Sequence, residues 1–184
     1  MNKDRKHIRL SNHDYSSEGE YFITICTHNR ECIFGKIENG EMILSEIGLV
    51  ASKYLQEIPG HFSHAQLDEF IVMPNHVHCI LTLENKLVAP DGTADVGTSH
   101  VMSTIGLHAH NRNEFSKPIK GSVSVIIQQY KAAVKRWCNA NKHEYLEWQS
   151  RFHDHIIRDA KSYEKIKNYI INNPKNWNGD SLHP

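Results

Sequence analysis

Two apolar runs, LDEFIVM at 67–73 and HVHCILTL at 76–83, meet at Met73-Pro74-Asn75 and constrain the chain more than any other feature. Both are rich in β-branched residues and too short for ordinary helices, so they are predicted to be strands joined by a tight hairpin. The chain is thereby committed to an antiparallel sheet. YFITICTH at 21–28 alternates Tyr21, Ile23 and Ile25 against Phe22, Thr24 and Cys26, which predicts another strand. MILS after the turn-like ENGE at 38–41, and WQSRFHDHII at 148–157, complete a predicted sheet of about five strands.

Helical periodicity fills the gaps between these strands. Ser45 is placed to cap a helix carrying Ile47, Val50, Ala51, Tyr54, Leu55 and Ile58, with Pro59-Gly60 as its stop. Ser122 opens a longer one with Val123, Ile126, Ile127, Tyr130, Ala133, Val134 and Trp137 on one stripe. A last helix is predicted over 161–172, stopped by Asn173-Pro174. Between about 84 and 120 periodicity gives way to Gly, Thr, Ser, Asn and His, which reads as a long polar loop or insert. The expectation is one α+β domain over 1–184, an antiparallel sheet with helices mainly on one face.

Composition excludes several classes of protein. The chain has 184 residues, 39% hydrophobic and 23% charged, which suits one soluble globular domain. It shows no apolar run long enough to cross a bilayer, and MNKDRKHIRLSNHDY has no signal-peptide core, so a cytoplasmic protein without membrane contact is expected. Cys26, Cys32, Cys79 and Cys138 form no Cys-x-x-Cys pair and read as free thiols. The zero net charge is uneven: residues 1–111 sum to −6 and residues 112–184 to +6. A basic C-terminal half suits phosphate contacts if its charges gather, and solvated helix surfaces if they do not.

Chemistry concentrates in MPNHVH. His76 and His78 are two apart on a strand and share a face, so two neutral imidazoles can offer one ring nitrogen each to a divalent ion. The spacing alone is not decisive among 14 histidines, because His108/His110 and His153/His155 repeat it. The first of these pairs lies in the polar segment. The second either faces the same cleft or lines a solvated edge. On the last helix Tyr169 and Asn173 are four apart and share a face, where a phenol and an amide oxygen suit a nucleophile and a metal ligand. Tyr163, Ile166, Tyr169 and Ile170 are equally an ordinary packing stripe. Tyr130, amid the long apolar stripe, reads as core.

MPNHVH, FHDHIIR and YIINNP together resemble the single-tyrosine HUH transposases, and specifically their REP-associated tyrosine transposase branch. The resemblance runs from YFITICTHNR to YIINNP and leaves out the 84–120 segment. It implies a ferredoxin-like core that cuts and rejoins single-stranded, often hairpin-forming DNA through a 5′-phosphotyrosine. His76, His78 and Asn173 would hold Mg²⁺ or Mn²⁺, and Tyr169 would be the nucleophile. Two imidazoles depart from an oxygen-rich Mg²⁺ cage and leave Mn²⁺ equally suited. Lys131, Lys135, Arg136, Arg151, Arg158, Lys161 and Lys165 are the expected phosphate contacts. A homodimer holding two DNA ends is compatible with the resemblance. Two other readings stand beside it: a domesticated binder of single-stranded or hairpin DNA that does not cleave, and a zinc hydrolase using His76, His78 and a third histidine.

Overall fold

The structure, a computed structural model, describes residues 14–84 and 119–184. The polar segment read over 84–120, with His108 and His110, falls outside them except for its ends. In chain order the elements are β1 (Gly19–Cys26), β2 (Gly35–Glu38), β3 (Glu41–Leu44), α1 (Glu46–Gln56), α2 (Ile58–His61), β4 (Ala65–Met73), β5 (His76–Leu83), α3 (Val123–Ala140), β6 (His153–Ile157) and α4 (Ala160–Asn172). A 3₁₀ turn over Pro174–Gly179 follows α4.

β1 and β5 form the centre of a four-stranded sheet ordered β4-β5-β1-β6, antiparallel throughout. Alternation gives this sheet two different faces. Tyr21, Ile23 and Ile25 of β1 join Val77, Cys79 and Leu81 of β5 in the main core, which α1 and α3 cover through Ile47, Ala51, Leu55, Ile126, Ile127 and Val134. On the opposite face Ile80, Ile157 and Ile170 form a smaller cluster with Phe22, Tyr163 and Ile166, which brings α4 onto the sheet. The α+β class and the antiparallel sheet agree with the sequence reading. Four strands share the main sheet, and β2-β3 form a separate hairpin.

Met73 pairs with His76, so Pro74-Asn75 is a two-residue connection between β4 and β5. The β2-β3 turn is likewise two residues, Asn39 and Gly40, both at positive φ. Sequence periodicity found only its second arm, because GKIE offers a single large apolar residue, Ile37. The last strand is shorter than 148–157. Trp148 makes only an isolated bridge to Thr27, and its indole N–H donates to the Lys131 carbonyl, which turns that stretch toward α3. The first helix ends at Gln56, and Pro59 sits early in α2, where it removes no needed N–H.

Caps set the helix starts. Ser45 accepts from Gly48 N–H at 3.1 Å, Ser122 from Val125 N–H at 3.4 Å, and Asp159 from Ser162 N–H at 2.8 Å. Gly48 is needed for a second reason: a Cβ there would stand 2.1 Å from the Phe34 carbonyl oxygen, on backbone that also accepts from Ser45 N–H. Gly-to-Ala inside a helix ordinarily stabilises by about 1 kcal/mol. Gly48→Ala is expected to do the opposite and destabilise by about 2 kcal/mol, seen as a lower urea midpoint at unchanged m-value.

Candidate metal and nucleophile site

His76 and His78 project from β5 onto the α4 face of the sheet, next to the hairpin turn, with ring centroids 4.4 Å apart. Both rings are buried. His76 Nδ1 lies 2.7 Å from Asn75 Oδ1, and His78 Nδ1 lies 2.9 Å from Thr24 Oγ1, its cross-strand partner. These contacts occupy both Nδ1 atoms, and His78 Nε2 is turned to Tyr169 of α4. Burial lowers the His76 pKa to about 4, with Asp180 opposing the shift and Arg30 adding to it. Burial and neighbouring His76 hold His78 well below the ordinary histidine value. Both imidazoles are therefore neutral at pH 7, as metal ligands must be.

α4 supplies the facing groups. The Tyr169 hydroxyl lies 3.3 Å from His78 Nε2 and 3.2 Å from Asp180 Oδ2, while its ring stands edge-on to Phe22. Asn173, the α4 C-cap, is buried and donates from Nδ2 to Asp180 Oδ2 at 3.1 Å. Burial first, then the Asp180 charge, raises the Tyr169 phenol above its ordinary pKa, so it rests protonated. The two readings of the α4 stripe separate here. Tyr163, Ile166 and Ile170 pack on the sheet, with the Tyr163 hydroxyl donating to Asp68, whereas Tyr169 is 42% exposed and meets His78. Tyr130 lies in the opposite core and donates to the Ala51 carbonyl, as expected of a core residue.

Two buried atoms among these residues have no partner, His76 Nε2 and Asn173 Oδ1. Both are acceptors, and leaving a buried acceptor unpaired costs about 1–3 kcal/mol, so each calls for a cation or a donor. That donor set fits a divalent ion. His76, His78 and Asp180 also place one ligand-type atom each within 4.8 Å of one another. The grouping found among the described residues thus contains a carboxylate and not the third histidine that the zinc-hydrolase reading requires.

Asp180 was not legible in the sequence. It sits seven residues past Asn173, beyond Pro174, in a tail without periodicity. Thr24 and Asn75 were likewise missed as partners, since cross-strand register is not written in local spacing. His153 and His155 are exposed on the edge strand β6, opposite Thr24 and Phe22, hence on the α4 face and at a solvated edge together.

The seven basic residues divide into two groups. Lys131 donates to the Gln149 carbonyl and lies over the Trp148 ring, and Lys135 donates to the Glu144 and Leu146 carbonyls. Arg136 lines a cavity with Tyr54, Glu57 and His61. All three belong to α3, across the sheet from His76 and His78. Arg151, Arg158, Lys161 and Lys165 are exposed near β6 and α4. Lys161 and Lys165 precede Tyr169 and Asn173 at four-residue steps, which continues their helical stripe.

The described fold is similar to that of a solved transposase. A solved structure of a REP-associated tyrosine transposase bound to a REP hairpin superposes with a TM-score of 0.57 at 18% identity, covering 92% of this chain and 74% of that one. The fold that the sequence resemblance implied is thus matched in three dimensions. The chain belongs to the same family as an uncharacterized protein of Haemophilus influenzae, with which it is 35% identical over 179 residues, 97% of this chain and 93% of the relative. No protein-family model matches the chain. Among the described residues no helix is long and apolar enough to cross a membrane.

Proposed function

We propose that the protein cuts and rejoins single-stranded, hairpin-forming DNA with Tyr169 as the nucleophile. The observation that carries this reading is the Tyr169 hydroxyl, 3.3 Å from His78 Nε2, beside the unpartnered His76 Nε2 and Asn173 Oδ1. The phenolic oxygen attacks phosphorus in line, and the bond from phosphorus to the 3′ oxygen breaks. The phenol gives up its proton, the departing oxygen gains one as a free 3′-hydroxyl, and the 5′-phosphate remains esterified to Tyr169. Attack by a 3′-hydroxyl on this ester reverses the step and joins strands without ATP. His76, His78 and Asn173 would hold Mg²⁺ or Mn²⁺, which supplies neutralisation of charge on the scissile phosphate. Phe22, packed edge-on against the Tyr169 ring, limits the nucleophile to few orientations.

A hairpin substrate is supported by the transposase that shares the fold, which was solved bound to a REP hairpin. The stripe Lys161-Lys165-Tyr169-Asn173, with Arg151 and Arg158 nearby, suits a backbone running along α4 toward the nucleophile. Affinity for a hairpin oligonucleotide is therefore expected to fall steeply between low and physiological salt, and to fall less steeply in Lys161→Ala/Lys165→Ala. A flat salt response would count against this path. The reading is tested with end-labelled hairpin oligonucleotides incubated with Mn²⁺ or EDTA. Cleavage to a free 3′-hydroxyl with Mn²⁺ alone is expected, whereas tight binding without cleavage would support the domesticated DNA-binding alternative.

A further inference from the structure

The outer contacts of the candidate ligands form one continuous hydrogen-bonded path between the two unpartnered atoms' residues. His76 Nδ1 faces Asn75 Oδ1 at 2.7 Å, and Asn75 Nδ2 donates to the Leu182 carbonyl at 2.8 Å. Leu182 N–H donates to Asp180 Oδ1 at 2.7 Å, and Asp180 Oδ2 accepts from Asn173 Nδ2 at 3.1 Å. Each junction allows one orientation. Asn75 Nδ2 also donates to the Arg30 carbonyl at 3.1 Å, so its amide nitrogen faces two acceptors and its oxygen is left for His76. His76 then carries its proton on Nδ1 and presents a lone pair at Nε2. At the other end a carboxylate can only accept, so Asn173 must turn its amide nitrogen to Asp180 and its oxygen away.

Resting on the divalent-metal reading above, we propose that Asp180 is a positioning residue: by accepting from Asn173 Nδ2 it holds Asn173 Oδ1 as the oxygen ligand of the site. The turn after Pro174 thus completes the metal centre without coordinating the ion. The engagement of Asp180 favours this outer role over direct ligation. Oδ1 is taken by Leu182 N–H, and Oδ2 by both Asn173 and Tyr169. An amide held from behind in this way needs no reorganisation to bind a hard cation through its oxygen. Arg30, donating to the Ser181 carbonyl at 2.9 Å, helps seat the turn.

The test is Mn²⁺ binding by the full chain without DNA, followed by the electron paramagnetic resonance signal of free Mn²⁺. Asp180→Ala is expected to weaken binding about 10- to 100-fold, the usual effect of removing an outer-shell partner. Asp180→Asn should lose less, because its amide oxygen can still accept from Asn173. In an Asn173→Asp background, where both side-chain oxygens are acceptors, Asp180→Ala should have little further effect. Wild-type affinity in Asp180→Ala would overturn the proposal, and so would an equal loss in both backgrounds, the signature of a direct ligand. Melting in EDTA identifies any variant that fails to fold, in which case Asp180→Asn carries the comparison. Absence of Mn²⁺ binding by the wild type would instead remove the metal reading, and this inference with it.

Discussion

Tyr169→Phe is expected to reduce cleavage and covalent adduct to background, a loss of more than about a thousandfold, while hairpin binding and thermal stability stay near wild type. The change removes one oxygen. That oxygen's contacts to His78 and Asp180 are long, at 3.3 and 3.2 Å, on a side chain that is 42% exposed, so the fold should lose no more than about 1 kcal/mol. Tyr130→Phe is the matched control. It deletes a buried hydroxyl bonded to the Ala51 carbonyl on the far side of the sheet and should affect stability alone. Cleavage retained in Tyr169→Phe and lost in Tyr130→Phe, measured on the same labelled hairpin, would overturn the assignment.

The second large effect is on the pH dependence of stability. His76 is fully buried with its pKa lowered to about 4, so between about pH 6.5 and 4 the unfolded chain binds a proton that the folded chain does not. Stability therefore falls as pH drops through this window and the loss levels off below it. A shift of this size corresponds to roughly 3 kcal/mol, and His78 adds to it in the same direction. Urea melts from pH 7.5 to 4.5 should show the decline, and His76→Gln should flatten it. Mn²⁺ acts in the opposite sense. At a hundred times its dissociation constant it should stabilise by about 2.7 kcal/mol at pH 7.5, and the gain should fade toward pH 5 as protons compete for the rings.

The parts of the site that could be read in the sequence are those governed by local periodicity. HVHCILTL alternates, so His76 and His78 share a face, and Tyr169 and Asn173 share a helical stripe because they are four apart. Neither pattern says that the two faces meet. That depends on α4 packing over Ile80 and Ile157 on the second side of the sheet, which follows from long-range register. Asp180 was beyond reach for the same reason, since a carboxylate in an aperiodic tail is one of 21 acidic residues until the chain folds. The α3 lysines show the converse. Helical spacing placed Lys131 and Lys135 off the apolar stripe, but it could not show that the chain at 144–149 returns to take their ammonium groups on its carbonyls.

β2 illustrates how short exposed strands escape notice. Its residues alternate between partly buried and exposed with one large apolar side chain, and the Asn39-Gly40 turn was the usable signal.

The central claim is that Tyr169 forms the covalent bond to DNA. It is tested most directly by incubating the wild-type chain with a hairpin oligonucleotide and Mn²⁺, digesting the product, and locating the nucleotide-bearing peptide by mass spectrometry. A 5′-phosphotyrosine on Tyr169, formed with Mn²⁺ and absent with EDTA, is the expected result. An adduct on any other residue, or cleavage that leaves no adduct in the wild type, would contradict it.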